Sequence, residues 1–473
     1  VSTTMHFMPG CEILQSFDLV HWEHVTYVYE TLDHTDAQQL KSGQNIYGQG
    51  MWAASLRYHE GRFYICFVAN DTRKTYLYTS EKIDGPWKKQ LIEGFYHDGS
   101  LLFDEDGRNY IVYGNDEIWI TELNEDLTAP KKDGLHRLLV SDHKNPELGY
   151  EGSHIQKING YYYIFLVHSL RDRWMRTEAC FYSDSLEGEF TGGDVLCDDR
   201  GYCGQGVAQG GIVDTPDGKW YAMLFQDSGA VGRIPILVPV TWKDHFPVFG
   251  QNGHVPEEIE VHSTRPGYIY QPLVGSDDFC NGLLPRWQFN HDPDPRYYHL
   301  DALQGTYTIT TREVCTELTQ AVNTLTQRMS YPSCAAEVTV DASALKEGDV
   351  AGLCALQSCY AAVGITKHHG KYEVLMLDKK EDGILDMTEG TVVESHQMDF
   401  RLEADFCNMK DEARCYYRVN KGDWLPIGTV HKLYFKLDHF TGCRFGLFCY
   451  AAEETGGSAC FRDFKYYDVD EIS

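Results

Sequence analysis

The sequence has no run of about 18 consecutive apolar residues, the length of a transmembrane helix, and it has few basic residues. Among its 473 residues, 41 are Lys or Arg and 70 are Asp or Glu, which gives a net charge of −29. Binding to nucleic acid requires a basic surface for the phosphates. The composition therefore argues against a membrane-spanning protein, and against nucleic acid or anionic membrane surfaces as partners. It suits a neutral ligand.

Motifs of several enzyme classes are also missing. We find no Walker loop, no strand-linked G-x-G-x-x-G, no H-E-x-x-H and no G-x-S-x-G, so nucleotide, zinc-protease and serine-hydrolase chemistry lack support. The 15 cysteines include no C-x-x-C pair. We expect buried, reduced thiols and a cytoplasmic bacterial protein, not a disulfide framework or a zinc site. The chain begins at Val1 without a signal-peptide pattern, and a signal lost before Val1 remains an alternative.

The first half contains a repeat. Each copy begins with small residues, continues as an apolar alternating run, turns at a glycine and ends in an aromatic strand, which is the pattern of a β-hairpin. The turn glycines are Gly61, Gly107, Gly160 and Gly218. A period of roughly 50 residues is typical of propellers, which have four strands in each blade.

Alignment of the copies on their turns places four residues at equivalent positions, at the start of the same strand: Ala53, Asp98, Glu151 and Gln209. The innermost strands of a propeller lie beside its channel, so we expect these side chains to converge there. Two of them are carboxyl groups, and repulsion and partial burial raise the pKa of at least one such group. A general acid needs a raised pKa near neutral pH. The alternatives are that the two groups cap strand ends or bind a structural cation.

The pattern changes after the repeat. Residues 252–272 are polar, contain proline and show no periodicity, which is typical of a linker. From Gly275 onward, short alternating strands separated by turns predict a β-sandwich. The predicted organisation is all-β, with a β-propeller at 1–255, a linker at 256–274 and a β-sandwich at 275–473.

Several segments resemble glycoside hydrolase family 43. They are Met51-Trp52-Ala53, Tyr96-His97-Asp98, Tyr150-Glu151-Gly152-Ser153-His154, Gly229-Ala230-Val231-Gly232-Arg233-Ile234-Pro235 and, in the second half, Trp287-Gln288-Phe289-Asn290-His291. The resemblance implies a five-bladed β-propeller followed by a lectin-like β-sandwich. It also implies an exo-acting, inverting glycosidase that releases xylose or arabinofuranose from xylo- and arabino-oligosaccharides of plant hemicellulose.

The resemblance also implies roles for single residues. Inversion needs one carboxylic acid to protonate the leaving oxygen and one carboxylate to activate water. Glu151 matches the general acid, and Asp98 matches the residue that orients this acid and keeps its pKa high. Arg233 matches an arginine that contacts the sugar, with a blade-closing salt bridge as the alternative. Trp52 and Phe7 match aromatic walls, with core packing as the alternative for Phe7.

The sequence departs from the family pattern at two places. The general base of the family is an Asp in an Asp-Pro segment shortly before the strand that here begins at Val1, and no such segment precedes it. Either the sequence record starts late, or the chain is a carbohydrate-binding propeller without turnover; a scaffold that binds proteins through its rim is a third alternative. At Gln209, which we expect among the substrate-binding residues, many members carry a His linked to a central metal ion. We expect no required cofactor, with a structural calcium bound through water in the channel as the alternative.

Overall fold

The computed structural model describes residues 1–468, which form 34 β-strands and five short 3-10 helices. Residues 469–473, at the end of the predicted second domain, lie outside the described residues. Within 1–468, no helix is long and apolar enough to cross a membrane. The chain folds as predicted into a β-propeller followed by a β-sandwich.

The propeller consists of four antiparallel sheets of four strands and one sheet of two strands. After β1 (Phe7–Met8), the two-stranded sheet contains β2 (Gly10–Gln15) and β3 (Glu23–Tyr29). The complete blades contain β4 (Ser55–His59), β5 (Arg62–Ala69), β6 (Lys74–Ser80) and β7 (Lys88–Ile92); β8 (Ser100–Phe103), β9 (Asn109–Asn115), β10 (Glu117–Leu123) and β11 (His136–Ser141); β12 (Glu151–Ile158), β13 (Tyr161–Ser169), β14 (Arg176–Ser183) and β15 (Thr191–Leu196); and β16 (Ile212–Asp214), β17 (Trp220–Asp227), β18 (Arg233–Lys243) and β19 (Phe246–Phe249).

The predicted hairpins form the inner half of each complete blade. The four turn glycines, at 61, 107, 160 and 218, all have a positive φ of about 80°, a conformation that glycine adopts without strain. They connect β4 to β5, β8 to β9, β12 to β13 and β16 to β17. The turn chemistry in the sequence therefore sets the end of each innermost strand.

Arg57 joins three blades at the channel. Strand β4 contacts β8, and β8 contacts β12. From β4, the guanidinium of Arg57 donates hydrogen bonds to the carbonyl oxygens of Leu101 (3.0 Å) and Ile155 (2.9 Å) on the two neighbouring strands. Burial, with the charge of Arg57 adding to it, lowers the pKa of His154 to about 3, so this buried imidazole is neutral. One cation thus ties the inner strands together.

The second domain is a sandwich of two sheets whose inner faces form one core, which includes Leu353, Phe400 and Phe445. Its strands are β20 (Gln288–Asn290), β21 (Tyr298–Asp301), β22 (Thr306–Thr310), β23 (Leu325–Arg328), β24 (Ser333–Asp341), β25 (Val350–Leu356), β26 (Ala361–His368), β27 (Lys371–Lys379), β28 (Leu385–Met387), β29 (Thr391–Val393), β30 (Gln397–Asp405), β31 (Glu412–Val419), β32 (Leu425–Lys432), β33 (Arg444–Tyr450) and β34 (Ser458–Asp468). The 3-10 helices span Lys41–Gly43, Gly229–Val231, Leu318–Gln320, Cys407–Met409 and Leu437–His439.

One sheet has the order β1-β20-β23-β33-β25-β26-β27-β28, with β29 also paired to β27, and the other has the order β21-β22-β34-β24-β30-β31-β32. Strand β1 therefore carries residues from the start of the chain into a sheet of the second domain, where Phe7 lies opposite Asn290. This pairing fastens the two domains to each other.

The segment between the domains has no regular secondary structure, but it is held against the two-stranded sheet. The backbone N–H of Thr264 donates to the carbonyl of Phe17 at 2.7 Å, and the N–H of Phe17 donates to the hydroxyl of Tyr270 at 2.8 Å. The hydroxyl of Tyr268 donates to the carboxylate of Glu23. The predicted linker is thus a packed part of the fold.

Candidate functional site

A cavity of about 570 Å³ lies where the innermost strands begin. Its wall includes all four residues at the equivalent positions of the repeat, namely Ala53, Asp98, Glu151 and Gln209. The structure thus brings together the side chains that the repeat alignment expected to converge. A concave cavity with a few converging polar groups is the usual form of a small-molecule site.

Glu151 is directed into the cavity by an irregularity at the start of β12. The pairing register with β13 shifts between Glu151 and His154, which is a β-bulge, and bulges re-aim side chains. Within it, Gly152 has a φ of +67°, and a Cβ at this position would lie only 2.8 Å from Cγ of Gln209. Glycine is therefore required directly after the predicted acid.

Asp98 is held behind Glu151 in a left-handed backbone conformation, with a φ of +48°, which Asp tolerates better than most residues. Its Oδ2 accepts a hydrogen bond from the N–H of Gly152 at 3.0 Å, and its carbonyl accepts one from the hydroxyl of Ser153 at 2.7 Å. Its side chain is 5% exposed. Gln209, at the equivalent position, also has a positive φ of +69°. Strained backbone of this kind concentrates at functional sites.

His97 joins the two carboxyl groups into a cluster. Its Nε2 lies 3.7 Å from Oδ2 of Asp98 and 3.7 Å from Oε2 of Glu151, and the side-chain amide of Asn115 donates to Oε2 of Glu151 at 2.8 Å. Among residues 1–468, no other group of three His, Cys, Asp or Glu residues has its ligand-type atoms within 4.8 Å of one another. The guanidinium groups of Arg176 and Arg233 act on Glu151, and that of Arg233 also acts on Asp98, which works against a bound cation.

The two carboxyl groups of the cluster have pKa values shifted in opposite directions. Burial raises the pKa of Asp98 to about 6, with the charge of Glu151 adding to the shift. Burial also acts to raise the pKa of Glu151, but His97 and the guanidinium groups of Arg176 and Arg233 outweigh it and hold this pKa below its ordinary value. The sequence-based expectation placed the raised pKa on Glu151. The structure places it on Asp98, because Asp98 is more deeply buried, while His97 and two guanidinium groups together lower the pKa of Glu151.

Arg233 makes a salt bridge, the alternative that the sequence left open, and it also lies at the cavity wall, where the expected sugar contact would be made. Its Nε and that of Arg176 donate to the two oxygens of the buried Asp227, at 3.2 Å and 3.1 Å, so it does make a salt bridge. It also lines the cavity, and its guanidinium lies between the rings of Phe225 (4.4 Å) and Phe440 (4.3 Å). Burial lowers its pKa to about 10, which leaves it charged at neutral pH.

The aromatic walls come from both domains. Trp52 lines the cavity as expected, and its ring stands edge-on to that of Phe440 at 5.6 Å, with an interplanar angle of 88°. Phe440 and Leu437 come from a loop of the second domain, and the exposed Trp174 comes from the loop before β14. These residues have no periodic or motif signal, so the sequence did not indicate them.

The structure corrects the expectation for Phe7. The sequence-based expectation placed it at a cavity wall, but it is fully buried in the second domain's core and its ring lies 3.6 Å from the guanidinium of Arg444. The physical reason is the pairing of β1 with β20, which carries the segment away from the channel. Core packing, the alternative weighed for this residue, is what the structure has.

Gln209 has oxygen chemistry that a hard cation can use. Its backbone N–H donates to Oε2 of Glu178 at 2.7 Å, while its own Oε1 and the Oε1 of Glu178 are buried without a hydrogen-bond partner. Burial raises the pKa of Glu178 well above its ordinary value. Amide and carboxylate oxygens are ligands that calcium takes. The residues at this position therefore fit the channel calcium considered above.

Two family models together cover most of the chain. The model described as "Glycosyl hydrolases family 43" matches residues 1–247. The model described as "Beta xylosidase C-terminal Concanavalin A-like domain" matches residues 276–467.

Individual proteins give the same picture. A beta-xylosidase of Formosa agariphila is 25% identical over 99% of this chain and 85% of its own length. A non-reducing end alpha-L-arabinofuranosidase of Bacteroides ovatus is 23% identical over 82% of this chain and 75% of its own length. Among solved structures, a bifunctional GH43-CE protein of Bacteroides eggerthii is 42% identical with a TM-score of 0.91; the match covers all of this chain, which spans 61% of that protein.

Proposed function

Since the chain belongs to glycosyl hydrolases family 43, we propose that it is an exo-acting, inverting glycosidase that releases a terminal xylose or arabinofuranose from short oligosaccharides. The observation that supports this most directly is the pair of carboxyl groups of Asp98 and Glu151 at one cavity wall, beside the charged Arg233. A pair of carboxyl groups in different environments is what separates an acid from a stabilising carboxylate.

Glu151 takes the role of general acid in this proposal. Its side chain is 17% exposed and reaches the cavity, so it can donate a proton to the glycosidic oxygen of a bound sugar while the bond to the anomeric carbon breaks. Asp98 lies behind it and accepts the N–H of Gly152, the next residue. Asp98 is thus a positioning residue that fixes the start of β12.

The second half of an inverting reaction is the activation of water on the opposite face of the sugar. In the part of the chain that the structure describes, Asp98 and Glu151 are the only carboxyl groups lining this cavity. Neither suits the role of base, because Asp98 is turned to the backbone of the acid and Glu151 is the acid. The water-activating group therefore lies outside the lining residues named here.

The walls suit a terminal, neutral pentose. Trp52 offers a flat apolar face of the kind that packs on sugar rings, and Arg233 offers N–H donors to hydroxyl groups. Phe440 and Leu437 of the second domain close over one side of the cavity, which favours a pocket for a chain end over an open groove. The chemistry itself needs no metal; Gln209 and Glu178 would hold a calcium ion in a structural role only.

All 15 cysteines carry free thiols, and most of them are buried. Free thiols persist in a reducing compartment. This supports our proposal that the protein acts in the cytoplasm of a bacterium on imported oligosaccharides.

The test is hydrolysis of p-nitrophenyl β-D-xyloside and p-nitrophenyl α-L-arabinofuranoside by the chain from Val1 and by a version extended upstream to its natural start. We expect release of nitrophenol from at least one substrate, and the substrate preferred identifies the pentose. Hydrolysis by the extended version alone places the water-activating group in the added segment. Failure of both versions, with xylose or arabinose still bound in calorimetry, supports the non-catalytic carbohydrate-binding alternative.

A further inference from the structure

His97 occupies a position that the family comparison does not assign. Its Nε2 is equally distant, at 3.7 Å, from Oδ2 of Asp98 and from Oε2 of Glu151. This separation is longer than a hydrogen bond, and the nitrogen is buried without any hydrogen-bond partner. An imidazole N–H placed between two carboxyl groups is therefore free to bond to either of them.

The carboxylates are each fixed by a different donor, so the geometry does not depend on His97. Glu151 accepts the amide of Asn115, and Asp98 accepts the N–H of Gly152. What His97 adds is a titratable proton, not a missing structural bond. It lines the cavity wall next to both groups.

The charges facing His97 are two negative and one positive. Burial acts to lower the pKa of His97, but the carboxylates of Glu151 and Asp98 outweigh burial and the opposing charge of Arg73 and raise this pKa above its ordinary value. The ring of Trp52, 6.0 Å away, covers another side and carries no charge. The raised pKa of His97 and the lowered pKa of Glu151 favour the imidazole over the carboxyl group as the site of a proton in the ligand-free site.

We propose that His97 is a positioning residue that stores the proton which Glu151 delivers to the leaving group, an inference that rests on the proposed glycosidase function. When a sugar fills the cavity and removes water from Glu151, the charged form of this carboxyl group is disfavoured. The proton then moves from Nε2 of His97 to Oε2 of Glu151: one N–H bond breaks, one O–H bond forms, and an ion pair becomes a neutral pair.

The stored proton is consumed and restored in each turnover. Glu151 gives it to the glycosidic oxygen as the bond to the anomeric carbon breaks, and the sugar leaves with the hydroxyl group of the attacking water. The proton lost by that water passes through its activating group to solvent, from which His97 is recharged. No oxidant, metal or second substrate is involved.

The variant that tests this is His97→Gln, whose amide retains a donor near Nε2 but does not titrate. In the wild type, the alkaline limb of kcat/KM reports the loss of the shared proton, at a pH above the ordinary range of a histidine, about 6.5. In the variant, the proton is held by a carboxyl group alone. We expect the alkaline limb to move down by about one to two pH units, with activity near pH 5 largely kept.

A purely structural role gives a different result, namely a similar fractional loss at every pH with the alkaline limb unmoved, and that result overturns the proposal. His59→Gln, at the half-exposed end of β4 and outside the cavity lining, is the matched control and should leave the alkaline limb unmoved. His97→Asn, a shorter amide that also cannot titrate, should move the limb in the same direction as His97→Gln.

A spectroscopic measurement separates this proposal from the glycosidase function itself. With 13C-labelled histidine, the His97 signal, assigned by its absence in His97→Gln, should titrate above about pH 6.5 in the wild type and at lower pH in Glu151→Gln. An unchanged titration in Glu151→Gln contradicts the shared proton even if the enzyme is active. If the titration of His97 depends on Glu151 but the protein hydrolyses no glycoside, the shared proton of His97 and Glu151 is supported and the glycosidase function is refuted.

Discussion

At the scale of single residues, two carboxyl groups on neighbouring blades have opposite pKa shifts. Asp98 is more deeply buried, and its pKa is raised to about 6. Glu151 faces His97 and two guanidinium groups, and its pKa is lowered. The difference arises from position: besides His97, the charges that act on Glu151 are those of Arg176 on β14, in the same blade as Glu151, and Arg233 on β18, in the next blade.

Asp98→Asn tests the electrostatic coupling of this pair. The charge of Asp98 favours protonation of Glu151, so its removal should lower the pKa of Glu151 further and move the alkaline limb of the kcat/KM profile to lower pH. The asparagine Oδ1 still accepts the N–H of Gly152, so the fold should persist. The exposed turn variant Asp106→Asn is the control. An alkaline limb at the same pH in Asp98→Asn and wild type contradicts the coupling.

The sequence predicted part of this site from internal repetition alone. Ala53, Asp98, Glu151 and Gln209 all line one cavity, because the period of the repeat is also the period of the blades. An aromatic residue in an apolar context does not reveal which core it joins, and for this reason the expectation for Phe7 was wrong. The contact of His97 with Glu151 could not be predicted, since it depends on how neighbouring blades are rotated.

At the scale of elements, the loop that includes Leu437–His439 and ends before β33 connects the sandwich to the cavity at the propeller channel. Phe440 stacks on the guanidinium of Arg233 at 4.3 Å and meets the ring of Trp52 edge-on. The loop is fixed to the propeller, since the N–H of Cys443 donates to the carbonyl of Ala230 at 2.9 Å. The second domain is thereby a structural part of the site.

Phe440→Ala should weaken substrate binding more than it slows the chemical step. The ring contributes a cation–π contact and an aromatic pair, together about 1–2 kcal/mol, that hold Arg233 and Trp52 in place at the cavity wall. Without the ring, the substrate must order these two side chains as it binds, so we expect KM to rise by at most about fivefold to thirtyfold. Steady-state kinetics on a p-nitrophenyl glycoside measures it. Phe440→Leu, which keeps an apolar side chain without the ring, should have a KM between those of the wild type and Phe440→Ala. A KM in Phe440→Ala equal to that of the wild type excludes a role of the loop in binding.

The sequence could not indicate this loop, although it predicted the fold on both sides of it. Strand alternation and turn glycines specify blades and sandwich strands locally. The approach of the loop to Trp52 depends on the packing of two domains, for which the chain carries no periodic signal. The same limit applies to Trp174, which lies in an irregular connection.

At the scale of the whole molecule, the seam between the domains contains a cluster of buried imidazoles. The ring of His6, from the segment before β1, lies 4.9 Å from that of His291 and 5.3 Å from that of His439. Both nitrogens of His6 lack a hydrogen-bond partner, and Nε2 of His291 accepts the N–H of Ile46 at 3.0 Å. Burial, with the neighbouring charges adding to it, lowers the pKa of His6 well below its ordinary value and that of His291 to about 3.

This seam should make the fold sensitive to acid. Both histidines are neutral in the folded protein, whereas in the unfolded chain they take up protons below their ordinary pKa of about 6.5. Their stabilisation is therefore complete above that pH and is lost as the pH falls toward 3, by up to about 1.4 kcal/mol per pH unit for each group. Chemical unfolding from pH 7 to pH 4 measures the slope.

His6→Phe keeps a ring beside Phe7 and removes one titrating group, so it should reduce the loss of stability between pH 6.5 and pH 4. The exposed linker variant His262→Phe should follow the wild type. If His6→Phe shows the same dependence of unfolding free energy on pH as the wild type, the imidazole cluster is not what makes the fold acid-sensitive.

The measurement that most directly tests the assignment of Glu151 as the general acid is the leaving-group dependence of Glu151→Gln. Its kcat/KM is compared with that of the wild type on an unactivated disaccharide and on a 2,4-dinitrophenyl glycoside of the same pentose. Only the poor leaving group needs a proton, so we expect a loss of about 100-fold or more on the disaccharide and a far smaller loss on the dinitrophenyl glycoside. An equal loss on both substrates would contradict the role of Glu151 as the acid.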